Sequence, residues 1–186
     1  VLAAISYTTL VTSSGNIILY GFQSGVTACL LAAEKLMLSA YNPESVPDNI
    51  TSLPFNHEII GGFILDMPLA SSDDYIRYHA IKNVLAGEKL MQYTIPVAVR
   101  LSAGSQPVLS LTAVLSRIQV PVHLISKNFD NEFLIERSNL VITERLRLFP
   151  NSTSKYIAEN STDSDPFIYN RDEYITSIDG FLRKFY

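Results

Sequence analysis

The segment Asn16 to Met37, NIILYGFQSGVTACLLAAEKLM, constrains the fold more than any other part of the chain. Its first five residues form a short, continuous apolar run entered through Ser13-Ser14-Gly15 and left through Gly21, the pattern of a strand buried on both faces. A helix follows at once, because Val26, Cys29, Leu30, Ala33, Leu36 and Met37 recur at helical spacing, with Gly25 beside the turn and Asn42-Pro43 ending the element. Strand, glycine turn and helix in that order open a parallel βαβ unit, and the residues before Asn16 read as the end of a helix running into the strand.

Further runs extend the pattern. Ile59 to Met67 (IIGGFILDM) and Val120 to Ser126 (VPVHLIS) read as buried strands, and Ser154 to Glu159 (SKYIAE) as a weaker one nearer an edge. Tyr41 to Phe55 reads as a loop. Glu132 to Leu148 holds enough apolar positions for one helix, and residues 73–116 are expected to hold several short helices broken at Pro96 and Pro107. The last helix, Arg171 to Phe185, places Tyr174, Ile178, Leu182 and Phe185 on one face. Strands alternating with helices predict an α/β fold: one parallel sheet in chain order, helices on both faces, and a small lid-like helical insertion at about 73–116, in a single domain over residues 1–186.

With 186 residues, 47% of them hydrophobic, the chain can bury a sizeable core. Its 14 Lys and Arg form no run and its net charge is −4, which argues against a nucleic-acid or anionic-membrane partner. No apolar run approaches the ~20 residues of a membrane span, and Val1 to Ser14 lacks the regions of a signal peptide, so a soluble protein of open compartment is expected. Cys29 stands alone and has no disulfide partner in the chain. His57, His79 and His123 show no metal-ligand spacing, and no metal or cofactor is expected.

NIILYGFQSGVTACLLAAEKL resembles the strand, nucleophile elbow and following helix of the α/β-hydrolases, with Gly21 and Gly25 at the two small positions. VPVHLISKNFDNEFL resembles the strand that delivers the family's acidic triad member, and Asp130 falls where that acid belongs. DPFIYNRDEYITSIDGFLRKFY resembles the closing segment after the catalytic histidine. The three landmarks, in family order, span most of the chain, and GGFILDMPLASSDDYIRY with LTAVLSRIQVPVHLI is most similar to the esterase-like and peptidase-like branches.

The resemblance also implies a degenerate site. Gln23 stands at the nucleophile position, and a carboxamide is not a nucleophile. Ser24, one residue later, is the alternative nucleophile, but Phe22 and Val26 would then occupy the positions the tight turn reserves for small residues. The histidine position falls within Asn160 to Pro166, on Asp163 or Ser164, neither of which serves as a neutral-pH base. Asp130 is then either a relic of the triad or a turn and capping residue. Asp66, at the carboxy end of the second strand, either faces a ligand or caps the next helix. His123 is expected in the core, His57 and His79 toward solvent, and Cys29 buried as a small hydrophobe. The family's early strands precede the elbow, so the edge near Ile17 to Tyr20 calls for cover by a protein partner or by absent amino-terminal strands. These features imply a non-catalytic scaffold or subunit of a larger assembly, against the alternative of a serine hydrolase (esterase, thioesterase or peptidase-like) acting through Ser24.

Overall fold

Helix α1 (Leu2–Thr12) leads into strand β1 (Ile17–Phe22), and helix α2 (Ser24–Tyr41) begins two residues after the strand ends. The computed structural model describes residues 1–12, 15–83, 88–104, 107–128, 131–158 and 166–186. After the short α3 (Asp48–Thr51) come β2 (Ile60–Asp66), then α4 (Ser72–Asn83), α5 (Glu88–Ser102) and α6 (Leu111–Leu115). The chain continues with β3 (Val122–Lys127), α7 (Glu132–Leu148), β4 (Thr153–Ala158), α8 (Pro166–Tyr169) and α9 (Arg171–Phe185). The strands form one parallel sheet in the order β1-β2-β3-β4.

The two faces of the sheet follow from side-chain alternation along each strand. Leu19, Phe63, Leu65, Val122 and Leu124 point into the larger core, which takes Val26, Leu30, Ala33 and Leu36 from α2, Leu111, Val114 and Leu115 from α6, and Leu134, Val141 and Ile142 from α7. Ile18, Ile64, Ile125 and Tyr156 point the other way, against Tyr174, Ile178, Phe181, Leu182 and Phe185 of α9. Both faces are therefore covered, which is why the strands read as continuous apolar runs. The sequence pattern picked out the α9 face through Tyr174 and Ile178 but omitted Phe181, one of its two most buried residues.

Two expectations need correction. Pro96 does not break the insertion: it lies inside α5, because the one helical hydrogen bond a proline removes is not enough to end a helix whose other turns still bond. Tyr41 to Phe55 is not plain loop either, since a 3-10 turn at Pro43–Ser45 and α3 lie within it. Each starts at or just after a proline, whose fixed φ suits a first helical turn.

Polar side chains tie the insertion to the body. Asp74 of α4, buried, receives the Arg137 guanidinium of α7 at 3.0 Å, and Asp73 pairs with Arg100 of α5 at 3.5 Å. Arg145 of α7 is almost fully buried and has no carboxylate partner among the described residues; it donates to the carbonyls of Leu115 (2.8 Å), Ile118 and Val120 (2.9 Å) and to Thr153 Oγ1 (3.2 Å). Its guanidinium lies over the Phe149 ring at 4.2 Å, and burial lowers its pKa to about 10. Arg145 thus fixes the loop between α6 and β3 and joins it to the start of β4.

Candidate functional site

Among the described residues, the non-glycine positions with positive φ lie just past the carboxy ends of β1 and β2. Gln23 caps α2 with φ 49° and ψ −120°, and Met67, just past β2, has φ 58°. Residues with side chains rarely adopt positive φ, and holding one there costs about 1–3 kcal/mol, so the surrounding contacts must enforce it. The Gln23 amide donates to Asp66 O at 3.0 Å, the Val26 amide returns to Gln23 O at 3.0 Å, and the Gln23 carboxamide reaches Met67 Sδ at 4.0 Å. Two strained residues on adjacent strands therefore brace each other.

Gly21 explains the tightness of the turn. A Cβ there would lie 2.8 Å from Val26 Cα and 2.9 Å from Gly25 O, inside backbone that cannot move aside. Gly25, expected to be the second obligatory small residue, is not constrained in this way: a Cβ would meet nothing within 4 Å. Ser24 is the exposed first residue of α2. Among the described residues no histidine hydrogen-bonds to Gln23 or Ser24. Asp130, Asp163 and Ser164 lie outside the described residues.

The histidines are distributed by packing. His123, buried in β3, stacks on Phe181 at 5.3 Å and is held by Ser154 Oγ at Nδ1 (2.7 Å) and Ser177 Oγ at Nε2 (3.3 Å). Burial lowers its pKa to about 4, so the ring is neutral near pH 7 and serves the core. His79 is exposed on α4. His57 departs from expectation. It is only partly exposed, within a 3-10 turn at the foot of β2, its ring meets Tyr41 at 5.5 Å, and its Nδ1 is buried with no hydrogen-bond partner among the described residues. Cys29 is buried, with Sγ 3.6 Å from Tyr20 O, and burial pushes its thiol pKa up.

Asp66 neither opens to solvent nor caps a helix. It is 0% exposed, and its Oδ2 accepts from Tyr174 at 2.6 Å and from Tyr20 at 3.1 Å, the two phenols lying 2.7 Å apart. Burial first, then the Asp66 carboxyl, pushes the Tyr174 pKa up, so this hydroxyl remains a donor. Sequence reasoning missed the cluster; its traces were an acid at a strand end and a tyrosine on the inner face of α9. The cluster seals α9 against the top of the sheet beside Gln23.

No family model matches the sequence and no curated protein matches it. Solved structures do share this architecture. The Pyrococcus furiosus esterase Pf2001 aligns over 98% of this chain with a TM-score of 0.59 at 16% identity. MenH from S. aureus aligns over 99% (TM-score 0.52, 14% identity) and NosK from Streptomyces actuosus over 98% (TM-score 0.51, 11% identity). The chain has an α/β-hydrolase fold. It spans 59% of the length of the Pyrococcus esterase, 74% of MenH and 76% of NosK. In this chain β1 passes through a tight turn at Gln23 directly into α2, and the helices α4 to α6 lie between β2 and β3. Likeness at this level of identity concerns the fold alone.

Proposed function

We propose that this chain is a non-catalytic α/β-hydrolase-like protein that serves as a scaffold or as a subunit of a larger assembly. The observation that carries the reading is Gln23 at the strained strand-to-helix turn. Acyl transfer at such an elbow needs a nucleophile and a base within hydrogen-bond reach. A carboxamide whose partner is a thioether supplies neither. Open surfaces support the partner half of the proposal. Among the described residues β1 has a strand on one side only, and Tyr20 on it is 51% exposed. Helix α1 exposes Leu10 (77%), and α5 exposes Leu90, Tyr93 and Leu101. An open strand edge and exposed apolar helix surfaces are features that another chain, or the amino-terminal strands of a longer polypeptide, would cover.

A fluorophosphonate probe and a p-nitrophenyl ester test the reading. The expected result is no labelling of the folded chain and ester hydrolysis no faster than free surface groups produce. Stoichiometric labelling at Ser24 with steady turnover would replace it by a serine hydrolase using that exposed hydroxyl. For the open edge, hydrogen exchange is expected to be faster in β1 than in β3; equal protection of the two strands in the isolated chain counts against a missing cover.

A further inference from the structure

Three helices bring three guanidiniums to one place. Arg77 of α4, Arg100 of α5 and Arg137 of α7 pair with Asp73 and Asp74 at the start of α4. Helices α4 and α7 follow the carboxy ends of β2 and β3, the end of the sheet that carries Gln23. In open α/β sheets this is the end that ligands meet.

The pairing is uneven. Asp74 Oδ2 accepts from Arg137 Nε at 3.0 Å, whereas Arg77 Nη1 stands 3.7 Å from Oδ1 of the same carboxylate, too far for a hydrogen bond. Arg100 faces Asp73 at 3.5 Å. Three cations against two carboxylates leave one positive charge over, and among the described residues neither Glu132 nor Glu136 of α7 forms an ion pair with any of the three.

Aromatic rings hold the surplus cation in place. The Arg77 guanidinium carbon lies 5.6 Å from the centre of the Tyr93 ring and 5.4 Å from that of Phe133, and the Arg137 carbon lies 6.0 Å from Phe133. The two guanidiniums therefore share one carboxylate and one ring. Of the Arg77 nitrogens only Nε is closed to water, and of the Arg137 nitrogens only Nε is hydrogen-bonded. Nη1 and Nη2 of both side chains reach solvent and have no hydrogen-bond partner among the described residues. Two like charges brought together repel, and an anion shared between them removes that cost. The terminal N–H groups of a guanidinium match the paired oxygens of a carboxylate or phosphate.

We propose that Arg77 and Arg137 form a binding site for the carboxylate or phosphate group of a small molecule, with the anion on their terminal nitrogens. The site uses neither Gln23 nor Ser24 and stands whether or not the chain is catalytically silent.

Benzoate and phenyl phosphate carry the two oxyanions on the same ring, and benzamide is the neutral match for benzoate. Each is titrated at low salt into the full, wild-type chain while the arginine Nε–H resonances are followed by NMR. At least one of the anions is expected to move the Arg77 and Arg137 signals saturably, and the tighter of the two identifies the group bound. Arg147 and Arg183, exposed and paired with Glu144 and Asp179, serve as controls and are expected to stay in place. Benzamide is expected to bind at least about ten-fold more weakly than benzoate where benzoate binds. Arg77→Gln removes the surplus charge and leaves Asp74 its bond from Arg137; it is expected to weaken the tighter anion about ten-fold while the far-UV spectrum stays native. No saturable shift of Arg77 and Arg137 with either anion up to about 10 mM overturns the proposal, as do equal shifts at Arg147 and Arg183. Benzamide binding as tightly as the anions overturns it as well, and so does unchanged affinity in folded Arg77→Gln. The wild-type titrations decide even where the variant fails to fold.

Discussion

Acid is expected to loosen this protein through one side chain, His123. In the folded chain its ring lies between β3, β4 and α9, with Ser154, Ser177 and Phe181 as contacts, and its pKa is lowered to about 4 from an ordinary 6.5 by burial. A base whose folded pKa lies below its unfolded value binds fewer protons in the native state. Its contribution is therefore intact above about pH 6.5 and is lost as pH falls toward about 4. The full difference corresponds to about 3 kcal/mol, of which about 2 kcal/mol is already gone at pH 5. With a urea slope of about 2 kcal/mol per molar, the midpoint should fall by about 1 M between pH 7.5 and pH 5. The control is His123→Gln, which cannot titrate; it starts from a lower midpoint because it forfeits the stack on Phe181. Carboxylates that titrate in the same range do so in both proteins, so the difference between the two profiles isolates the histidine. Urea unfolding followed by far-UV circular dichroism is the assay. Parallel pH profiles for the two proteins would refute the reasoning.

The two elbow glycines should behave oppositely. Gly21→Ala pushes a Cβ into the α2 backbone 2.8 Å away and should cost about 1–3 kcal/mol by urea unfolding, whereas Gly25→Ala, in open space at the first turn of α2, should be neutral or gain about 0.5 kcal/mol. Arg145→Lys keeps the charge but cannot fork to three carbonyls and Thr153. It should cost about 2–4 kcal/mol in the same assay, and a change below about 0.5 kcal/mol would remove Arg145 from its role in fixing the α6–β3 loop. Gln23→Ser supplies a hydroxyl at the strained turn, where no histidine among the described residues reaches it, so p-nitrophenyl ester turnover is expected to stay at the level of the unaltered chain; a rise of about a hundred-fold would reveal an unsuspected base.

Much of the architecture was legible because both faces of a parallel sheet are buried and the intervening helices each bury one stripe, so period and apolar runs carry the information. Glu132–Leu148 and Arg171–Phe185 are helices to the residue, and the four strands pair in chain order as right-handed crossovers require. The tight turn after β1 was legible too, since Gly21 is demanded by a local approach of α2 to β1 that six residues of sequence, Gly21 to Val26, already contain. What escaped was decided by contacts between residues far apart in the chain. Asp66 read as a ligand-facing or capping acid, yet Tyr174, 108 positions later, closes over it. His57 read as a solvent-facing loop residue, yet its ring packs against Tyr41 at the end of α2 and its Nδ1 is buried. Pro96 read as a break, yet α5 runs through it. Local pattern determines which segments become strands and helices, because backbone hydrogen bonding and the burial of one face act over a few residues. Whether an acid is sealed or a histidine neutral is set by which distant surfaces pack together, and only the folded chain brings those surfaces into contact.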